Sequence, residues 1–151
     1  MRRRLQLDLS YAARAPWVPT RLQFLRWIDA AWASRSEAAV VSIRVVGLKG
    51  SRSLNRRYRL NDRATNVLSF SGAGRLPDGS WLLGELVLCA PVIAAEARLQ
   101  RKRVAAHWAH MTVHGVLHLL GFDHGVRAEA AKMESMEVQI LDRLGFSDPY
   151  V

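Results

Sequence analysis

Residues 114 to 124 read H-G-V-L-H-L-L-G-F-D-H, and the chain is organised around them. The three histidines, His114, His118 and His124, stand at positions i, i+4 and i+10. On a helix the first two are about 40° apart around the axis, so both imidazoles leave the same face. Gly121 can adopt φ > 0 and end the helix there, which lets the chain turn and bring His124 back towards the same point. Two imidazoles on a helix and a third beyond a glycine break make a three-nitrogen metal site with an open position, the arrangement of a catalytic zinc.

The helix carrying this motif runs from about Arg103 to Leu120, and His107, His110, His114 and His118 fall within an arc of about 80° on it. Four imidazoles buried only as packing would each need a partner for a polar nitrogen. His114, His118 and His124 are therefore read as ligands, with His107 and His110 as supporting or structural groups upstream. Asp123 immediately precedes a ligand, where it could orient an imidazole or cap the turn.

Outward from the helix, the pattern predicts an α+β domain. Leu5, Leu7 and Leu9 alternate with polar residues as a half-buried strand, and Ala39 to Val46 is a second strand rich in β-branched residues. Residues 65 to 70 and Leu82 to Cys89 complete a mixed sheet of about four strands. The S-G-A-G-R-L-P-D-G-S stretch between the last two reads as a loop. Five helices are expected. One is capped by Thr20, with Leu22, Leu25, Ile28 and Trp32 as its apolar stripe. A short basic one covers Ser51 to Arg59, with Leu54 and Tyr58 on its buried side. One opens at Pro91, the fourth carries the histidines, and the last carries Met133, Met136, Ile140 and Leu144 inward and ends at Gly145. No repeat or linker divides the chain, so residues 1–151 are read as a single domain.

The formal charge is +9, and all but three of the 22 basic residues are arginine, which binds phosphate bidentately. Such a balance favours polyanions, RNA or DNA first among them. The one cysteine, Cys89, rules out an intrachain disulfide and fits a reducing cytoplasm; it reads as an inert buried thiol. Asp8 interrupts any apolar leader, and no run of about 18 apolar residues exists, so no membrane span is expected. From Lys49 to Arg63 the chain carries Arg52, Arg56, Arg57 and Arg59 against one acid, Asp62; this is either a solvated charged face or a phosphate track leading to the metal. Arg98, Arg101, Lys102 and Arg103 form a second cluster before the histidine helix. Five tryptophans could stack on unpaired bases, but most are expected in the core.

The i, i+4, i+10 spacing with glycine at i+7 also occurs in the metzincin proteases, H-E-x-x-H-x-x-G-x-x-H. Here Gly115 replaces the glutamate that serves those enzymes as general base, so a peptidase reading lacks its proton acceptor.

The histidine stretch resembles the signature of the YbeY family, the metal-dependent endoribonucleases of bacterial ribosomal RNA maturation. L-N-R-R-Y-R at residues 54–59, followed by T-N-V-L-S-F at 65–70, resembles that family's L-N-x-x-Y-R and T-D-V-L-S-F block. L-G-E-L-V-L-C at 83–89 resembles its G-D-I strand, and the similarity runs in order over about residues 45 to 145. The chain departs from the pattern at Asn66 and Glu85, where aspartate is usual, and at Ser71, where proline is common. The resemblance implies that His114, His118 and His124 hold one Zn²⁺ and that Arg59 is functionally required. From the residues alone, Arg59 reads equally as a phosphate clamp near the metal or as a solvated arginine. Other divalent transition metals also suit three imidazoles.

The resemblance implies a zinc-dependent endoribonuclease of single-stranded RNA, acting in 16S ribosomal RNA maturation and ribosome quality control. Its partners would be the small ribosomal subunit and associated proteins. His110, Asp123, Arg56, Arg57 and Arg63 are further candidates to support the site or bind RNA. No carboxylate is placed by sequence as the proton acceptor, so either the metal supplies the nucleophile or the RNA 2′-OH attacks. Two other classes stay open: a metallopeptidase or other zinc hydrolase, and a noncatalytic ribosome assembly factor with structural zinc.

Overall fold

A computed structural model gives the structure of residues 5–32, 37–122 and 127–151. In chain order these form strand β1 (Leu5–Tyr11), helix α1 (Arg21–Ala31), strand β2 (Ala39–Val46), helix α2 (Leu48–Arg59), strands β3 (Val67–Arg75) and β4 (Trp81–Cys89), and helices α3 (Ala90–Leu99), α4 (Val104–Leu119) and α5 (Arg127–Arg143). The α+β expectation of one mixed sheet with five helices holds. The strands lie in the order β1-β2-β4-β3; the first three run parallel, and β3 pairs antiparallel with β4 at the edge. Parallel neighbours need a crossover, which α1 supplies between β1 and β2.

Strict alternation in β2 buries Ala39, Val41, Ile43 and Val45 in the main core, formed where α1 and α4 cover one sheet face and α5 packs on those helices. A smaller cluster of Val46, Leu68, Val87 and Cys89 fills the other face, with Leu54 of α2 and Val92 of α3 against it. Burial pushes the Cys89 thiol pKa up, in keeping with an unreactive core residue. Thr20 caps α1 as expected: its hydroxyl accepts from Gln23 N at 3.2 Å, while Gln23 Oε1 accepts from Thr20 N at 2.9 Å. The buried face of α1 is rotated from the predicted stripe, however. Phe24, Trp27, Ile28 and Ala31 point inward, and Leu22 is 67% exposed. The rings decide this, since Phe24 meets Trp27 and Trp108 edge-on at 5.9 and 6.0 Å, and Trp27 meets Phe146 at 6.4 Å. Trp27, Trp32 and Trp108 are thus core residues and not base platforms.

The strand β3 runs five residues past the predicted end, through Gly72 and Gly74 to Arg75. Glycine serves close strand contact here: a Cβ at Gly72 would collide with the Leu82 carbonyl, and one at Gly84 with the Phe70 carbonyl. The register shifts between Ser71 and Gly74, and the turn itself is confined to Leu76–Ser80, closed by Leu76 N to Ser80 O at 2.8 Å. The main histidine helix, α4, presses on β4 through another glycine. A Cβ on Gly115 would lie 2.7 Å from Leu86 Cδ2. A side chain at that position would require the buried Leu86 side chain to shift. Among the described residues no helix is long and apolar enough to cross a membrane.

Candidate metal centre

The cleft beside α4 straddles the edge strand β3. His114 and His118 come to it from one sheet face, and the C-terminal end of α2 comes round the edge from the other. Their rings are 4.7 Å apart between centroids, one helical turn from each other. Together with Arg59, Asn66, Val67, Leu68 and Ser69 they line a cavity of about 240 Å³. The two histidines expected as ligands and the arginine expected beside them therefore meet in one place. His124 and Asp123 lie outside the described residues, and among the described residues no group of three His, Cys, Asp or Glu side chains could hold a metal ion.

Arg59 is held by the way α2 is anchored. The predicted buried side, Leu54 and Tyr58, is only partly right, because the residues sealed under the helix are Ser51 and Asn55. Asn55 Nδ2 donates to Arg63 O at 2.9 Å. Ser51 Oγ donates to Thr65 O at 3.0 Å and accepts from Thr65 N at 2.9 Å. These polar contacts satisfy the backbone of the segment joining α2 to β3 and draw it under the helix. Leu60 ends α2 in the left-handed region at φ 58, and Arg59 then reaches β3. Its Nη2 donates to Ser69 O at 2.7 Å, and its guanidinium carbon lies 5.0 Å from the Phe70 ring centroid. Tyr58 remains 53% exposed beside it, edge-on to Phe70.

Of the remaining basic residues here, Arg52 is engaged by Asp62 through two bonds of 2.8 and 3.0 Å. That pairing lowers the Asp62 pKa. Arg56, Arg57 and Arg63 are exposed, and Arg57 leans over the Tyr58 ring at 5.5 Å. Arg56, Arg57 and Arg63 do not line the cavity itself.

Behind His114 lies a fully buried carboxylate, Glu137 of α5. Its Oε2 is 2.9 Å from His114 Nδ1, and its Oε1 is 2.7 Å from His110 Nε2 and 2.6 Å from the Tyr150 hydroxyl. Burial opposes ionisation of Glu137, but the bonds from His110, His114 and Tyr150 outweigh it and hold the carboxyl well below the ordinary range. Burial and then the same carboxylate push the Tyr150 phenol up, so it is a donor. An ionised Glu137 accepts from all three groups. His114 consequently carries its proton on Nδ1 and turns the Nε2 lone pair outward, the tautomer a metal ligand needs. This donor chemistry fits a zinc-type ion on His114 and His118.

A second carboxylate ties the cleft to α3. Glu96 is 2.8 Å from His107 Nε2, and Asn66 Nδ2 donates to both its oxygens at 3.1 and 3.2 Å. An amide at position 66 thus satisfies Glu96, where an aspartate would bring like charge. The other departure, Glu85, has a structural role: it pairs with Arg44 at 3.0 Å on the sheet face away from α4.

Glu137, Glu96 and Tyr150 escaped the sequence reading. For Glu137 a signal existed, since it shares the helical face of Met133 and Ile140, and a glutamate on an apolar stripe demands a partner.

A family model described as Endoribonuclease YbeY matches residues 19–145. A protein named Endoribonuclease YbeY from Nitrosococcus oceani is 48% identical over 150 residues, covering 97% of each chain. One of the same name from Stenotrophomonas maltophilia strain K279a is 51% identical over 151 residues, covering 97% of this chain and 94% of its own. The solution structure of TM1509 from Thermotoga maritima is similar in fold, with a TM-score of 0.54 at 20% identity over 95% of this chain and 91% of that one.

Proposed function

The chain belongs to the YbeY family, and on that premise we propose that it is a zinc-dependent endoribonuclease that cleaves single-stranded regions of ribosomal RNA during small-subunit maturation. The observation that carries this reading is the shared cavity: Arg59, from one side of the sheet edge, opens onto the same space as His114 and His118 from the other. A guanidinium and a pair of imidazoles converging on so small a space suit a phosphodiester held at a metal.

His114, His118 and His124 would hold the ion. When bound, zinc supplies Lewis acidity towards a phosphate oxygen and towards water. The chain's own groups do the rest. Arg59, steadied by Ser69 O and Phe70, grips the phosphodiester and offsets the charge that grows on it during cleavage. Glu137 keeps the proton of His114 on Nδ1. The exposed arginines Arg56, Arg57 and Arg63 draw the RNA backbone towards the cleft, and Tyr58 offers a half-exposed ring on which an unpaired base can stack. Unstacked bases are available only in single-stranded regions, which is the physical reason for the preference. Association with the small ribosomal subunit, ribosome quality control and a cytoplasmic setting belong to the same reading.

A peptidase use of the site is disfavoured because residue 115, where the zinc peptidases carry their glutamate base, is a glycine packed on Leu86. The test is metal analysis joined to an RNA cleavage assay on wild type, His114→Ala and Arg59→Ala. His114→Ala should lose both metal and cleavage. A folded His114→Ala protein that lacks metal yet cleaves RNA and supports normal ribosomal RNA processing would overturn the catalytic reading in favour of a structural ion.

A further inference from the structure

The last turn of the chain doubles back onto the wall of the metal centre. Gly145, at φ 90, reverses the backbone after α5, and Phe146 N bonds to Leu141 O at 2.9 Å. Phe146 then seats on Trp27 of α1, at 6.4 Å between ring centroids. The carboxylate of Asp148 accepts from Tyr150 N at 2.8 Å and closes a short turn. These contacts aim the Tyr150 side chain at α4 and α5. Its ring meets His110 edge-on at 5.3 Å, and its hydroxyl lies 2.6 Å from Glu137 Oε1.

Glu137 has two oxygens and three donors. The oxygen that serves His114 takes one of them, and the other takes Tyr150 together with His110. A carboxylate pinned at one oxygen by two donors cannot swing its other oxygen off the His114 proton. We propose that Tyr150 is a positioning residue of the metal centre: its hydroxyl locks Glu137 in the orientation that presents His114 to the ion. This rests on the reading of His114 as a ligand. Tyr150 is 47% exposed, while the Glu137 carboxylate that its hydroxyl reaches is fully buried.

The arrangement distinguishes positioning from simple support. If Tyr150 only stabilised a buried charge, its loss would lower the unfolding midpoint and leave the folded protein's metal affinity alone. If it positions His114, affinity falls in protein that is fully folded. Tyr150→Phe keeps the ring against His110 and removes only the hydroxyl, and Tyr150→Ala removes both.

The experiment is Zn²⁺ affinity by chelator competition at a temperature where every variant is folded. It compares wild type, Tyr150→Phe, Tyr150→Ala, Glu137→Gln, the double variant Tyr150→Phe/Glu137→Gln, and His114→Ala. Tyr150→Phe should bind Zn²⁺ about tenfold more weakly, the lower end of the range for groups that orient metal-bound histidines. In the double variant the Tyr150→Phe effect should vanish, because the hydroxyl acts through Glu137. The His114 imidazole signals of the metal-free protein should move in Tyr150→Phe as well. Unchanged affinity in Tyr150→Phe, loss only in Tyr150→Ala, or full additivity with Glu137→Gln would each overturn the proposal while leaving the metal centre standing. Zinc binding that is absent in wild type, or untouched by His114→Ala, would overturn the metal reading and the Tyr150 proposal together.

Discussion

Glu137 has no surface in contact with water, and it is tolerated there because His110, His114 and Tyr150 all donate to it. Replacing it with glutamine keeps the shape but turns one acceptor into a donor that faces another donor. Glu137→Gln is accordingly expected to weaken zinc binding about 10–100-fold, measured by chelator competition, with the secondary structure retained. Arg59 plays a separate part. Its partners are a backbone carbonyl and the Phe70 ring, neither of them on the ion. Arg59→Ala should therefore keep its metal and lose about 10²–10³ in the rate of RNA cleavage under saturating RNA, the scale for removing one preorganised charge-stabilising group. Loss of metal in that variant would reassign Arg59 to structure. At this scale the histidines were legible, because helical spacing alone brings His114 and His118 to one face. Glu137 and Tyr150 were not, since they reach His114 through the packing of α5 and the last turn on α4, which no local spacing encodes.

At the scale of elements, α4 packs on Leu86 of β4 at a glycine, Gly115. Gly115→Ala should cost about 1–3 kcal/mol in unfolding free energy, because the new methyl meets Leu86 in a packed core. Leu86→Val in the same chain should recover part of that loss; a fully additive double variant would show that the two residues do not collide. The tie between α3 and α4 has a pH signature. Burial lowers the His107 pKa below its ordinary value of 6.5, with Glu96 pulling partly the other way, so the folded state favours the neutral ring. The unfolded chain takes up the proton first as pH falls. The contribution is therefore complete above 6.5 and is lost as pH drops towards the lower folded value. His107→Gln should flatten the pH dependence of unfolding free energy in that window; an unchanged slope would contradict the assignment. Elements with strong local signals were readable in the sequence: the Thr20 cap, the alternation of β2, the Pro91 start and the Gly121 stop, where φ is 101. The extension of β3 and the polar underside of α2 were not. Gly72 looks like a turn until the Leu82 carbonyl opposite it is known, and Ser51 and Asn55 look exposed until the 61–66 segment folds under them.

At the scale of the whole molecule, a mixed sheet carries α1 and α4 on one face and α3 with the basic helix α2 on the other, with the cleft at its β3 edge. The net charge of +9 already pointed to a polyanion, but only the fold shows Arg56, Arg57 and Arg63 exposed and Arg52 engaged by Asp62. Binding to single-stranded RNA should weaken steeply with salt. Replacing Arg56 and Arg57 by glutamine should reduce the log–log salt slope by about 1.4 if each neutralises one phosphate, at about 0.7 per contact. A slope that does not change would move the RNA path off this face. The joining of Arg59 to the histidines across 55 residues of chain was legible only through the family resemblance, because the antiparallel pairing of β3 with β4 is what brings them together. The most direct test of the central claim is cleavage of a single-stranded RNA by protein stripped of metal and then titrated with Zn²⁺. Activity should be absent after stripping and return in full at about one ion per chain, as expected for a single three-histidine site. Undiminished cleavage by the stripped protein in excess chelator would contradict the claim.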